Sequence, residues 1–64
     1  GNDRGAIRDF SKSIIRYPYY HETYYNRGLN LMHLGLLDDA CLDFKTAIEL
    51  GDTLSLKYKA SLCR

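Results

Sequence analysis

The chain has 64 residues, 45% of them hydrophobic and 27% charged, with a formal net charge of +1. This is the composition of one small globular unit, too short to hold a large core without help from a staple, a metal or a neighbour. The near-neutral balance argues against a dedicated nucleic-acid surface or an electrostatic membrane anchor, and the longest apolar stretch, Leu29 to Leu37, is too short and too polar to span a bilayer. The chain opens Gly-Asn, without a leader-like segment, and is expected to be a piece cut from a longer protein.

The elements read in chain order as helices. Asn2 or Asp3 can cap a first helix through Ile7, Phe10, Ile14 and Ile15. Tyr17-Pro18 ends it, because the residue before proline is pushed out of the helical region. A second helix fits His21 to Leu34, with Glu22 in its first turn and Gly35 as a left-handed stop. Asp38 and Asp39 open a third helix through Ala40, Phe44, Ala47, Ile48 and Leu50, closed by Gly51. Asp52 or Thr53 can cap a fourth segment to the C-terminus. There Leu54, Leu56, Tyr58, Ala60 and Leu62 alternate like a strand. They also form two stripes on one helix, Leu54/Tyr58/Leu62 and Leu56/Ala60/Cys63. Short connections and the lack of a strand partner favour helix, which makes the chain all-α with antiparallel neighbours.

The chain also matches itself at a shift of 34 residues. Gly1 falls on Gly35, Ala6 on Ala40, Asp9 on Asp43, Phe10 on Phe44, Ile14 on Ile48 and Tyr24 on Tyr58. Ala6, Phe10 and Ile14 form one helical stripe, and Ala40, Phe44 and Ile48 repeat it. A fixed period of this length with a helical stripe in each copy is the mark of a helix–turn–helix solenoid.

The repeated residues resemble the tetratricopeptide repeat (TPR) family. Tyr24 stands in the first aromatic slot, Gly28 in the glycine slot and Leu31 in the next large slot. Ala40, Phe44 and Ala47 take the alanine, second aromatic and small slots. One repeat upstream, Ala6, Phe10, Ser13 and Pro18 fill the last four slots. Two positions depart from the pattern: Arg27 replaces a usual leucine, and Asp52 replaces the closing proline. The resemblance implies the second half of one repeat over 1–18, a complete repeat over 21–52, and a terminal or capping helix over 53–64. The Asp52 departure suggests the end of an array. The run from Ala40-Cys41 through Leu50-Gly51-Asp52, followed by Cys63, is also similar to the terminal repeat of bacterial TPR proteins.

The family resemblance implies a non-catalytic scaffold that binds an unidentified peptide or protein. First helices of such repeats line a concave groove, so the implied contacts are Glu22, Tyr25, Asn26, Leu29, Met32 and His33. Ordinary packing is the competing reading for Leu29 and Met32. A carboxylate clamp is not supported, because Leu56 and Ala60 occupy the slots that would need basic residues. The structural set is Ala6, Phe10, Ile14, Tyr24, Gly28, Ala40, Phe44 and Ala47. A different reading makes the chain the structural cap or self-association module of a longer array.

Three further features have two readings each. Cys41 and Cys63 lie eleven residues either side of position 52. On antiparallel helices joined there, they sit level and can form a disulfide, or remain two buried thiols. A bridge would place the protein in an oxidising compartment, periplasmic or secreted; free thiols would fit the cytoplasm. Tyr17, Tyr19, Tyr20, Tyr24 and Tyr25 crowd around Pro18, with Tyr24 expected in the core and the others filling the junction between repeats. Arg4, Arg8, Lys12 and Arg16 form a basic ridge, expected to be a solvated face rather than a nucleic-acid site. No metal site, cofactor or catalytic constellation can be assembled from these residues, so no enzymatic activity is expected. The stripes on the first and last helices have no obvious cover, and Leu54, Tyr58 and Leu62 are candidates to cover a neighbouring copy as a homo-oligomer.

Overall fold

The computed structural model describes residues 2–63. Four helices follow one another: α1 (Asp3–Arg16), α2 (His21–His33), α3 (Leu37–Glu49) and α4 (Ser55–Leu62). The fold is all-α, with no strand among the described residues. Gly1, which the internal repeat aligns with Gly35, lies outside the described residues.

Local chemistry sets each boundary. Asn2 caps α1 by accepting the Gly5 N–H at Oδ1, 3.0 Å away, satisfying one of the donors left free at a helix start. Tyr17 ends α1 with its N–H on the Ser13 carbonyl at 2.7 Å. Gly35 and Gly51 carry φ of 78° and 103°, and both build the same stop. Gly35 N–H donates to Met32 and Leu36 N–H to Leu31, each at 3.0 Å. Gly51 N–H donates to Ile48 and Asp52 N–H to Ala47, each at 2.9 Å. This paired bond pattern satisfies carbonyls that a helix end would otherwise leave bare, and it needs a left-handed residue at the turn.

Each helix packs on its neighbour in sequence, with α2 held between α1 and α3 and with α4 against α3. The core centres on Leu31, Ala40 and Phe44, with Ala47 and Cys41 also buried. Phe44 is 0% exposed. Gly28 makes room for it: a Cβ on Gly28 would lie 2.8 Å from Phe44 Cε1. Ile7, Tyr25, Leu29, Met32, Tyr58 and Leu62 close the rim.

The two copies of the repeat are not buried equally. Gly28, Ala40, Phe44 and Ala47 are buried and Tyr24 is half-buried, while Ala6, Phe10 and Ile14 are only half-buried and α1 has no buried residue. α2 covers the α3 stripe, whereas no described element covers the matching α1 stripe to the same depth.

Three expectations need correction. The fourth helix does not run to the C-terminus: it stops at Leu62, and Cys63 is extended with φ −93° and ψ 134°. Its inward line is Ser55, Tyr58 and Leu62, with Leu54, Leu56 and Ala60 exposed. Tyr58 and Leu62 are half-buried and pack against this chain's own core. The junction tyrosines also differ from expectation. Tyr24 is half-buried and donates its hydroxyl to the Pro18 carbonyl at 2.8 Å, but Tyr17, Tyr19 and Tyr20 are 56%, 83% and 63% exposed. They sit on the loop between α1 and α2, where Tyr20 N–H donates to the Tyr17 carbonyl at 3.4 Å.

The Gly28 contact makes a direct prediction. Gly28→Val puts a branched side chain into the Phe44 ring, and overpacking of this kind costs about 1–3 kcal/mol. For a domain of this size, thermal denaturation followed by circular dichroism should show Tm lowered by roughly 7–22 °C.

Candidate binding face of α2

The residues Glu22, Tyr25, Asn26, Leu29, Met32 and His33 follow helical spacing and share one side of α2. The structure divides them by depth. Tyr25, Leu29 and Met32 are half-buried and pack on the core rim. Tyr25 sits with its ring centroid 6.2 Å from Phe44 and 6.0 Å from Tyr58. Phe44 and Tyr58 stack at 4.9 Å with 13° between planes. Aromatic contacts of this kind add directional attraction to the area they bury. Burial raises the Tyr25 phenol above its ordinary pKa, with Tyr58 adding to the effect, so the hydroxyl stays protonated at neutral pH.

Asn26 is half-buried, and its carboxamide makes no hydrogen bond among the described residues. A carboxamide offers two donors and an acceptor, which suits an extended backbone. Glu22 and His33 are exposed at the two ends of the face. His33 Nδ1 lies 3.4 Å from Asp3 Oδ1, at the start of α1. Asp3 also accepts from Asn30 Nδ2 at 2.7 Å. That hydrogen bond, assisted by His33 and opposed by burial, holds the Asp3 carboxyl below its ordinary value of 3.8.

The opposite side of α2 carries a polar tie that the sequence reading missed. Arg27 donates from Nε and Nη2 to the two Asp43 oxygens, each at 2.7 Å, and from Nη1 to Ser11 Oγ at 3.2 Å. One side chain thereby links α2 to both α1 and α3. Asp43 is 5% exposed, so the fork geometry and the ion pair compensate its desolvation. The Asp43 hydrogen bond raises the Arg27 pKa, keeping the charge fixed. A signal was available: Arg27 precedes Gly28 and Asp43 precedes Phe44, so the close glycine–phenylalanine contact brings the two charges together. Around this tie, Ile7, Ser11, Leu42, Asp43 and Thr46 help to line an open cleft between α1 and α3.

A second tie sits at the α3–α4 turn. Asp52 Oδ2 accepts from Ser55 N–H at 2.8 Å and from Ser55 Oγ at 2.6 Å, while Oδ1 lies 3.1 Å from His21 Nδ1. Aspartate stands where the repeat pattern has proline, and here it stops the turn and starts the next helix. Histidine, aspartate and serine meet, but the carboxylate is in the middle and Ser55 is 0% exposed. A nucleophilic triad needs histidine between the other two and a reachable hydroxyl.

Cys41 and Cys63 stand at disulfide distance, with Cα atoms 5.5 Å apart. The basic ridge Arg4, Arg8, Lys12 and Arg16 is exposed along α1. Arg16 also lies over the Tyr17 ring at 5.5 Å. Among the described residues no His, Cys, Asp and Glu group could hold a metal ion, and no helix is long and apolar enough to cross a membrane. Comparison with family models, curated proteins and solved structures finds no match for the chain.

Two outcomes are expected. Arg27→Leu leaves Asp43 buried without its partner and should cost about 3–5 kcal/mol by urea denaturation. Replacing both partners, Arg27→Leu with Asp43→Leu, should recover most of that loss. A single variant as stable as the parent would contradict the tie. Asn30→Ala should raise the Asp3 pKa toward its ordinary value, read by NMR titration of the side-chain carboxyl. The sign follows from linkage: Asp3 is more acidic when folded, so its contribution is present above the unfolded pKa and lost as pH falls through the folded one.

Proposed function

We propose that this chain is a TPR-like helical repeat unit that acts as a protein–protein interaction scaffold. The observation that carries the reading is the packing of Gly28 against a fully buried Phe44, flanked by Ala40 and Ala47 at 0% exposure. These are the slots where the resemblance calls for small and aromatic residues. The proposed ligand is an extended peptide lying along α2. Tyr25, Leu29 and Met32 form its apolar floor, Asn26 supplies free hydrogen-bonding groups to its backbone, and Glu22 and His33 sit at the ends. A small pre-formed face of this kind holds its ligand by a few buried contacts and places polar groups for register.

A second reading is supported by the α3–α4 junction. Asp52 accepts the first N–H of α4 where a proline would continue the pattern, and Cys41 and Cys63 fasten the far end of α4 to α3. In that reading the chain closes a longer array as a structural cap. The cysteine pair also supports a protein working in an oxidising compartment, periplasmic or secreted; the bacterial source rests on the resemblance alone. Self-association through Leu54 and Leu56, which are 60% and 52% exposed, belongs to the same reading.

An arrayed library of extended peptides, followed by fluorescence polarisation on the hits, separates the two. A scaffold selects peptides, and Asn26→Ala with Leu29→Ala should weaken them at least about ten-fold, or about 1.4 kcal/mol. A cap selects none, and peptides that bind the double variant undiminished would refute the α2 groove.

A further inference from the structure

α4 is the element least able to hold itself in place. It has eight residues, well short of the roughly 12–15 at which an isolated helix becomes even marginal in water. It packs chiefly on α3. Leu54 and Leu56 point to solvent, which leaves Tyr58 and Leu62 as its apolar anchors on the core. Its N-terminus is tethered by Asp52. Its far end is tethered by the cysteine pair, with Cys63 just beyond the last turn and Cys41 in the second turn of α3. Cys63 is partly exposed and Cys41 is buried, so a reductant meets Cys63 first.

The remaining helices do not depend on α4 in the same way. Leu31, Ala40 and Phe44 pack between α2 and α3, and the Arg27 tie joins α1, α2 and α3. Removing α4 takes the stacked Tyr58 ring from Phe44 and Tyr25 but leaves the Gly28 contact and both paired helix stops.

We propose that the Cys41–Cys63 bond is a redox latch: reduction releases α4 while α1, α2 and α3 stay folded, and uncovers the Tyr25–Phe44 aromatic face. The reductant is a dithiol. Its thiolate attacks the Cys63 sulfur, and Cys41 leaves as a thiolate that takes up a proton. The second thiol of the reductant then displaces Cys63, which is protonated in turn. Two electrons and two protons reach the protein, and the dithiol becomes a cyclic disulfide. The release is a property of the fold and stands whether or not the α2 face binds a peptide.

Amide hydrogen exchange on the whole chain tests this, with the air-oxidised protein compared before and after treatment with dithiothreitol. On reduction, the Cys63 amide and the last turn of α4 should exchange at least about ten-fold faster. The Leu36 and Ala40 amides, bonded within the α2–α3 unit, should change by less than about two-fold. Cys63→Ser should show the reduced pattern without reductant and should not respond to it. The proposal is overturned by unchanged α4 exchange on reduction, by α4 and the α2–α3 amides losing protection together, by oxidised-like protection in Cys63→Ser, or by an intact mass showing two free thiols in the air-oxidised protein.

Discussion

The approach of α2 to α3 at Gly28 governs the rest of the molecule. The Phe44 ring occupies the space a side chain at position 28 would need, and the two helices can close on it from both sides. Ala40 and Ala47 extend the same shallow surface one turn each way, so α3 offers one large ring set among small residues. Burying a phenylalanine completely contributes about 2–3 kcal/mol. That is a large share of the stability available to a chain this short. Leu31 and the rim residues are positioned by this contact, and so are the charged partners next to it.

Polar groups then fix what the apolar contact leaves free. Hydrophobic packing alone permits two helices to slide or rotate by small amounts. Arg27 prevents that by holding both oxygens of Asp43 and the Ser11 hydroxyl at once. Asp52 does a related task at the other end, joining the start of α2 to the turn before α4 through His21 and Ser55. Among the described residues no buried side-chain nitrogen or oxygen is left without a partner. The three-helix unit is thus specified by one close contact and two polar clasps, with α4 added by the Asp52–Ser55 bonds, by stacking and by the cysteines.

Much of this was legible before any coordinates. Helix boundaries at Pro18, Gly35 and Gly51 follow from backbone chemistry that depends on single residues. The buried set on α3 follows from the spacing of Ala40, Phe44 and Ala47. The level placement of Cys41 and Cys63 follows from counting away from the turn. What was hidden depends on partners far apart in sequence. Arg27 looked like a departure from a pattern, and only the facing carboxylate explains it. The α4 stripes were misread because Leu54 belongs to the turn, so the inward line starts at Ser55, a small polar residue that periodicity of apolar residues cannot flag. The exposed tyrosines 17, 19 and 20 were misplaced for a related reason: composition does not say which way a loop turns.

The binding reading rests on α2 being held rigidly enough to present Tyr25, Asn26 and Leu29 as one surface, and that rigidity comes from the Gly28–Phe44 contact. Proton NMR of the parent chain tests the contact directly. The account predicts strong cross-relaxation between the Gly28 Hα protons and the Phe44 ring, with at least one of those protons displaced from its random-coil position by the ring current. Gly28 protons at random-coil shifts, with no cross-peak to Phe44, would contradict it.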